Sequence, residues 1–202
     1  MTFSTSCKKK ELNTISGTLY DMATGEPVAD AKVELDITEI VSGNFNSSFT
    51  PFMETYTDSE GNYLIEFESR NFVKMRLTYS KDEYHTVSTT FDPEGVDSDY
   101  EIDETIPMES YILVRVFNNT PTDSDDVLKF RLQNINDECD VCFSGAFQYF
   151  NGADIDTTFL CKVVGGESIT VNYISIHNDV SNIVESQLYC TPGDTVNYNC
   201  YY

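Results

Sequence analysis

Ile15–Val28 reads Ile-Ser-Gly-Thr-Leu-Tyr-Asp-Met-Ala-Thr-Gly-Glu-Pro-Val, and this stretch decides the fold. A short β-forming run leads into a turn with Asp and Gly at fixed offsets, and Pro then precedes a second run. Thr57–Tyr63, which reads Thr-Asp-Ser-Glu-Gly-Asn-Tyr, repeats the pattern further along the chain. An Asp side chain can accept hydrogen bonds from the backbone amides that follow it, and Gly adopts the positive φ that tight turns need. Both stretches therefore predict tight turns between β-strands.

Apolar and polar residues alternate along most of the chain, which is the two-residue period of half-buried strands. Helical spacing is rare. The alternation predicts strands at 14–20, 31–41, 52–57, 62–68, 72–79, 84–91, 100–106, 110–117, 127–133, 142–150, 157–164, 167–176, 183–190 and 195–201. Between two of these runs, Gly165-Gly166 has the form of a two-residue hairpin turn. Strands this short and this evenly spaced are typical of β-sandwiches.

An acidic segment at Asp92–Glu104, followed by Pro107, marks the boundary between two halves. Each half is long enough for one core, because domains of about 100 residues are common. We therefore expect an all-β chain of two tandem β-sandwiches, at 14–107 and 108–202, after an N-terminal tail at 1–13. The second sandwich is expected to be Ig-like or similar, with disulfides.

The net charge of the chain restricts its partners. The 202 residues contain 12 Lys and Arg against 34 Asp and Glu, which gives a net charge of −22. A surface that negative repels phosphate backbones, which excludes nucleic acid as a partner. The charge is compatible with cationic partners, with Ca²⁺ or simply with solubility. Hydrophobic residues make up 40% of the chain, enough for packed domains rather than global disorder.

Five short segments of the first half resemble the carboxypeptidase regulatory-like domain. They are Gly17-Thr18-Leu19-Tyr20-Asp21, Thr24-Gly25-Glu26-Pro27-Val28, Ala31-Lys32-Val33-Glu34-Leu35, Thr57-Asp58 and Gly61-Asn62-Tyr63. The resemblance covers Thr14–Pro107 and implies a transthyretin-like sandwich. It also implies an accessory role without catalytic residues, since such domains occur beside peptidases, in outer-membrane receptors and in Gram-negative surface lipoproteins. The longer insertion Ser42–Phe52 departs from the family, and the chain after Met108 resembles no family we can name.

The N-terminus is basic, unlike the rest of the chain, because Cys7 is followed by Lys8–Lys10. Ser4-Thr5-Ser6-Cys7 resembles the end of a bacterial lipoprotein signal, in which Cys7 would be lipidated. Ser4 stands where that motif usually has Leu, and the apolar region of a signal peptide is missing, so an ordinary tail with an incidental cysteine is the alternative. We expect an extracytoplasmic protein, periplasmic or at the cell surface, that touches the outer membrane only through the lipid on Cys7.

The other cysteines all lie in the second half, at Cys139, Cys142, Cys161, Cys190 and Cys200. In an extracytoplasmic β-domain such a cluster predicts disulfides, with one cysteine left over and the pairing open. Cys139 and Cys142 also have the spacing of a redox motif, but the helix and βαβ context that this motif needs are not visible. A zinc site is disfavoured because a second Cys-x-x-Cys is absent.

The insertion Ser42–Phe52 is the candidate ligand-binding loop. Phe45, Asn46, Phe49 and Phe52 stand there among small polar residues, and loops on a rigid sandwich often carry recognition. Exposed aromatic rings with Asn can stack on and hydrogen-bond a sugar or a peptide. The alternative is that the three Phe side chains fold back onto the core.

Two acidic loops supply weak candidates for a Ca²⁺ site, namely Asp97, Asp99, Asp123 and Asp125. Neither loop has the EF-hand pattern with its Gly and terminal Glu. Solvated acidic loops are the alternative, so we predict neither a metal nor a cofactor.

Signatures of catalysis are absent from the sequence. His85 and His177 each lie in an alternating strand pattern, and neither belongs to a Gly-x-Ser-x-Gly or His-Glu-x-x-His motif. Acidic residues are so numerous that pairs of carboxylates do not indicate acid/base chemistry. We therefore predict that the protein is not an enzyme.

Two functional hypotheses follow. The first is a non-catalytic, lipid-anchored envelope protein that acts as a binding or accessory module for a glycan, a peptide or an envelope protein partner. The second is a structural spacer or assembly subunit of a surface complex, with no small-molecule ligand. Exposed aromatic residues on Ser42–Phe52 would favour the first, whereas a long open edge strand or an apolar face in the C-terminal half would favour the second.

Overall fold

A computed structural model of the protein describes residues 12–41, 44–45, 47–68, 72–93, 99–133 and 146–202. The named secondary-structure elements in these ranges are all β-strands. The same ranges contain no helix that could span a lipid bilayer. The chain divides into two compact units, Met1–Ile106 and Pro107–Tyr202. Each unit has two sheets and a core of its own. The prediction of an all-β chain with two tandem β-sandwiches is confirmed.

The N-terminal unit contains the first nine described strands. They are β1 (Leu12–Asp21), β2 (Lys32–Val41), β3 (Asn44–Phe45), β4 (Thr50–Tyr56), β5 (Asn62–Glu68), β6 (Phe72–Ser80), β7 (Val87–Phe91), β8 (Asp99–Glu101) and β9 (Glu104–Ile106). In one sheet β1 has β5 antiparallel on one side and β8 and β9 parallel on the other. In the other sheet β2 pairs with β3 and β4 at one edge and with β6 at the other, and β7 follows β6.

Strict alternation builds the core between these sheets. In β5, Tyr63, Ile65 and Phe67 are buried while their neighbours are exposed. The Tyr63 hydroxyl lies 2.8 Å from the hydroxyl of Tyr79, a fully buried residue of β6 in the opposite sheet. Burial raises the pKa of Tyr63 to about 12. This pair gives the two buried hydroxyls a hydrogen bond inside the apolar core.

Both turns predicted from the sequence form. Asp21 Oδ1 accepts a hydrogen bond from the Thr24 amide (2.8 Å), and the Asp58 side chain accepts from two amides of its own turn (3.0 and 2.8 Å). Gly25 and Gly61 have φ values of +71° and +76°. The Asp residues therefore cap the turns, and the glycines supply the left-handed backbone that closes them.

The two turn motifs also contact each other. Thr57 is buried, and its hydroxyl donates to the Val28 carbonyl (2.7 Å) and accepts from the Ala31 amide (2.9 Å). The Leu19 amide donates to the Gly61 carbonyl (2.9 Å), which places Gly61 directly against β1. The second motif thus ties the end of β1 to the start of β2, so the two stretches form one structural unit.

The predicted strand at 100–106 is interrupted, because Ile102 and Asp103 leave the ladder between β8 and β9. The Asp103 side chain accepts the hydrogen bond from the Thr18 amide (2.7 Å) that a strand carbonyl would otherwise accept. The Ile102 carbonyl oxygen lies so close to β1 that a Cβ added at Gly17 would be 1.9 Å from it. Gly17 is therefore needed for this close backbone approach.

The C-terminal unit contains seven described strands. They are β10 (Glu109–Phe117), β11 (Val127–Gln133), β12 (Gln148–Asn151), β13 (Asp156–Val164), β14 (Ser168–His177), β15 (Val180–Tyr189) and β16 (Thr195–Tyr201). Their order is β13-β10-β16 in one sheet and β12-β11-β14-β15 in the other. Two strands begin later than predicted, β7 at Val87 and β12 at Gln148, although 142–145 lie outside the described residues.

The two units share one strand topology. The first strand of each unit, β1 or β10, has an antiparallel neighbour on one side and the last strands of its unit parallel on the other. The second sheets correspond as well, since β4-β2-β6-β7 and β12-β11-β14-β15 run in the same order. The chain is therefore a tandem of two sandwiches of the same plan.

The predicted hairpin at Gly165-Gly166 is wrong. β13 pairs with β10, whereas β14 pairs with β11 and β15, so this turn carries the chain from one sheet to the other. The Gly165 amide donates to the Met108 carbonyl (2.8 Å) and the Gly166 amide donates to the Cys190 carbonyl (2.7 Å). The turn is therefore held by hydrogen bonds to the segments that contain Met108 and Cys190, and not by a ladder between the strands on either side of it.

Candidate functional site

One sheet of the C-terminal unit ends in a long open strand, β15. It follows β14 through a hairpin whose turn residues, Asn178 and Asp179, have φ values of +48° and +61°. Turns with two residues at positive φ match the right-handed twist of the strands that they join. β15 pairs with β14 along its whole length, and no described strand pairs with its other side. The backbone groups along that side can therefore accept another strand.

β15 lacks the features that usually protect an edge. Its ten residues include neither Lys nor Pro, and Glu185 is the one charged residue among them. Ile183 is 71% exposed and Tyr189 is 57% exposed. By contrast, β13 carries the charged residues Asp156 and Lys162, and β12 has four residues. Charge, Pro and short length are common ways to prevent edge-to-edge pairing, so β15 is open to strand addition.

A row of side chains, apolar or aromatic except for Lys129, continues from β15 across the outer face of the sheet. Ile183 is paired with Ile174 on β14, Ile174 with Lys129 on β11, and Lys129 with Tyr149 on β12. Tyr149 is 59% exposed, and the Lys129 ammonium lies 5.6 Å from the centre of its ring. A strand added to β15 would extend this row, because directly paired residues share one face of a sheet.

Hydrogen bonds hold β15 in place from both faces. On the inner face the Ser186 and Tyr198 hydroxyls lie 2.7 Å apart, and on the outer face Gln187 Nε2 donates to the Thr170 hydroxyl (2.8 Å). Leu188 packs against the core of the unit. The edge is therefore a preformed surface, which lowers the entropic cost of binding a partner.

The candidate aromatic loop is divided between the core and the surface of the N-terminal unit. Phe52 packs edge-on against Phe67 and Phe72, with ring centres 6.1 and 5.2 Å away. Phe49 is half-buried, and the Arg76 guanidinium lies 4.3 Å from the centre of its ring. Phe45 is in β3, and Asn46 lies outside the described residues. The placement of Phe52 agrees with the alternative in which the Phe side chains fold back onto the core.

Of the described acidic candidates, Asp99 belongs to the N-terminal unit and Asp123 and Asp125 belong to the C-terminal unit. Asp97 lies outside the described residues, and Asp99 in β8 accepts a hydrogen bond from the Thr14 hydroxyl (2.5 Å). Asp123 and Asp125 line a cavity of about 240 Å³ beside the β14–β15 turn, but Asp123 Oδ1 already accepts from the Asp125 amide (2.8 Å). In the part of the chain that the structure describes, no group of His, Cys, Asp or Glu is arranged to hold a metal ion.

A buried carboxylate, that of Asp126, organises the loop before β11. Asp126 is fully buried and accepts hydrogen bonds from the Thr122 hydroxyl, from the Thr122 amide (2.8 Å) and from Asn118 Nδ2 (2.9 Å). His177 Nδ1 lies 3.0 Å from Asp126 Oδ1. Burial alone would raise the pKa of Asp126, but these hydrogen bonds outweigh it and hold the pKa well below its usual range.

We expect Asp126→Asn to lower the melting temperature by about 5 °C or more at pH 7. The Asn side chain would place its own N–H groups against N–H and O–H groups that donate hydrogen bonds to the carboxylate. Since the pKa is lower in the folded than in the unfolded chain, the carboxylate stabilises the native state above about pH 4 and loses this effect in acid. Thermal melts should therefore show that the difference in melting temperature between Asp126→Asn and the unaltered chain is smaller at pH 3 than at pH 7. Asp154→Asn, in an exposed turn, is the control.

The histidines do not form a catalytic arrangement in the described residues. His177 pairs with Asp126 as a base would, but its buried Nε2 has no hydrogen-bond partner there, and the Tyr202 ring lies 5.4 Å away. Nucleophilic catalysis needs a hydroxyl or thiol within hydrogen-bond reach of the base. His85 is buried in the N-terminal unit. The described contact of His177 with Asp126 joins the end of β14 to the loop before β11.

Three of the predicted disulfide cysteines lie in the core of the C-terminal unit. Cys161, Cys190 and Cys200 are fully buried, and none is joined to another of the three. Burial raises the pKa of Cys190 to about 11 and that of Cys200 to about 12. Cys7, Cys139 and Cys142 lie outside the described residues. Lipidation and the disulfides therefore stay predictions.

The strand register excludes one disulfide pairing. On opposite sides of β10, Cys161 is paired with Ile112 and Cys200 with Val116. Four residues along β10 and two strand spacings place the two cysteine Cα atoms roughly 16 Å apart. A disulfide needs a much shorter Cα separation, so Cys161 and Cys200 cannot bridge.

Comparison with known proteins does not identify a family. No family model and no curated protein matches the chain. Among solved structures it is similar to the Bacillus anthracis TIE protein, with a TM-score of 0.40 and 9% identity over 94% of this chain and 34% of that one. It is also similar to the shaft pilin SpaA from Lactobacillus rhamnosus GG, with a TM-score of 0.35 and 8% identity over 96% of this chain and 98% of that one. Likenesses this weak carry no argument about function.

Proposed function

We propose that the protein is a non-catalytic module of the bacterial cell envelope whose C-terminal unit binds a partner protein by strand addition to β15. The observation that supports this is the edge itself, which is ten residues long, carries a single charge and exposes Ile183 and Tyr189. Strand addition uses backbone hydrogen bonds for affinity and alternate side chains for specificity. Of the two hypotheses from the sequence, this favours an assembly role.

The partner segment that fits β15 is extended, with apolar side chains at alternate positions and Lys or Arg between them. Apolar positions would extend the row that starts at Ile183, and the basic positions between them would point to the opposite face of the sheet. A net charge of −22 attracts a basic segment and opposes a second copy of the same chain. The proposed occupant is therefore a basic strand of another envelope protein.

The remaining parts of the proposal concern attachment and the N-terminal unit. We propose lipidation at Cys7, an extracytoplasmic location and disulfides among the C-terminal cysteines other than a Cys161–Cys200 bridge, on the sequence arguments given above. The transthyretin-like resemblance supports an accessory role for the N-terminal unit.

The test uses two labelled nine-residue peptides, one alternating Val and Lys and one alternating Val and Glu. Fluorescence anisotropy with the intact chain should show that the Lys peptide binds at least about tenfold more tightly. Ile183→Lys should weaken its binding by about tenfold, because a Lys on the edge opposes strand addition. Leu160→Lys, at a 45% exposed position of β13, adds the same charge and should bind like the unaltered chain.

Three results would count against this assignment. Equal binding of the Lys and Glu peptides would show that the partner of β15 need not be basic. Equal weakening by Ile183→Lys and Leu160→Lys would show that charge alone drives binding. A stable dimer that dissociates in Ile183→Lys, seen by sedimentation, would make a second copy the occupant of β15.

A further inference from the structure

A second candidate site lies in the N-terminal unit, on the outer face of its larger sheet. A cavity of about 550 Å³ opens there, at the end where β4, β2 and β6 lie side by side. Tyr56, Lys32 and Ser80 form one row across these strands, because Lys32 is paired with both of the others. The loop after β6 closes the far side with Lys81 and Asp82. The cavity is distinct from β15 and from the aromatic loop.

An exposed aromatic side chain, that of Tyr56, lines this cavity. Tyr56 is 58% exposed although it lies within a sheet. Beside it, the Lys32 ammonium lies 2.7 Å from a Glu34 carboxylate oxygen and 2.9 Å from one of Glu54. Hydrogen bonds, first to Glu34 and then to Glu54, raise the pKa of Lys32, so the ammonium is fully charged at neutral pH. The ring is thus flanked by a fixed hydrogen-bond donor.

The lining of the cavity also supplies carboxylate acceptors and a second ammonium donor. The Lys81 ammonium donates to the Ala29 carbonyl (2.7 Å), which holds its side chain in place. The carboxylates of Asp30 and Asp82 line the same cavity. Asp30 has a φ of +54°, a left-handed conformation that Asp adopts in turns more readily than most residues. The Asp30 amide donates to the Thr57 carbonyl (3.0 Å), which holds this conformation.

The charges around the cavity select the class of ligand. Two ammoniums, of Lys32 and Lys81, stand against four carboxylates, of Asp30, Asp82, Glu34 and Glu54, so these groups together carry an excess of negative charge, and Glu34 and Glu54 are paired with Lys32. An anionic ligand would be repelled by these carboxylates, because no excess of cations offsets them. A purely apolar ligand would leave the charged groups without partners. A neutral ligand with many hydroxyls can stack its C–H face on the ring, accept from the ammoniums and donate to the carboxylates.

We propose that this cavity binds a neutral saccharide, with Tyr56 as the stacking platform and with Lys32, Lys81, Asp30 and Asp82 as the groups that orient its hydroxyls. The site gives the N-terminal unit a ligand of its own, beyond the protein partner proposed for the C-terminal unit. Its test does not depend on β15.

The test measures binding of the intact chain to immobilised neutral gluco-, manno-, xylo- and galacto-oligosaccharides, with oligogalacturonates as the acidic comparison. At least one neutral series should bind and the oligogalacturonates should not. Tyr56→Ala should weaken that binding by about tenfold, as expected from loss of a stacking contact. Tyr149→Ala is the matched control, because Tyr149 is 59% exposed on the other unit.

Thermal melts should show that both Tyr variants fold as the unaltered chain does, since both side chains are exposed. Binding of the acidic series alone, or of no neutral series, would overturn the proposal. So would equal binding by Tyr56→Ala and the unaltered chain, or an equal loss in Tyr56→Ala and Tyr149→Ala.

Discussion

Gly61→Ala is expected to lower the free energy of unfolding of the N-terminal unit by about 3 kcal/mol or more. Gly61 has a φ of +76°, which costs a residue with a Cβ about 1 kcal/mol or more. In addition, a Cβ there would lie 2.8 Å from the Leu19 carbonyl oxygen and 2.9 Å from Pro27 Cβ. Backbone must shift to relieve these contacts, and overpacking of this kind costs about 1–3 kcal/mol.

Gly25→Ala is the matched control for this prediction. Gly25 has a nearly identical φ of +71°, but a Cβ there would meet no atom within 4 Å. The expected loss is therefore the conformational cost alone, about 1 kcal/mol. Urea unfolding followed by circular dichroism measures both variants. Equal losses in the two would show that Gly61 does not lie in close contact with Leu19 and Pro27.

Thr57→Val is expected to lower the free energy of unfolding of the same unit by about 2–4 kcal/mol. The substitution nearly preserves the shape of the side chain but removes its hydroxyl. The Val28 carbonyl and the Ala31 amide, which bond to that hydroxyl at 2.7 and 2.9 Å, then have no partner from this side chain in a buried region. A buried polar group left without a hydrogen bond costs about 1–3 kcal/mol.

The matched control is Thr105→Val, at an exposed position of β9. A surface substitution from one β-branched residue to another should change the free energy of unfolding by less than about 0.5 kcal/mol. The same urea experiment applies. If Thr57→Val proved as mild as Thr105→Val, the connection that we describe between the end of β1 and the start of β2 would not stabilise the fold.

Local patterns predicted most of the strands and the two capped turns, because alternation and turn chemistry are encoded within a few residues. Pairing between strands was not predictable in the same way. Gly165-Gly166 has the composition of a hairpin, but β13 and β14 belong to different sheets, and a choice of that kind depends on contacts far along the chain. The break at Ile102 and Asp103 has the same origin, since it follows from the approach of Ile102 to Gly17.

The candidate sites were less accessible from sequence than the fold. Alternation predicts this strand only from 183, whereas β15 begins at Val180, directly after a turn in which Asn178 and Asp179 both have a positive φ. That pair, between two alternating runs, is the signal that could have placed the hairpin. Whether the edge is open depends on the sheet order, which no local pattern encodes. Likewise, Tyr56 and Lys32 are far apart in the sequence and become neighbours only through strand pairing.

Hydrogen exchange of the β15 amides, read by mass spectrometry with and without the alternating Val-Lys peptide, tests the central claim most directly. Strand addition forms new hydrogen bonds along the open side of β15. We therefore predict that the peptide slows exchange in Val180–Tyr189 and leaves β13 unchanged. Binding of the peptide with no added protection in β15, or with protection spread equally over both strands, would contradict the account.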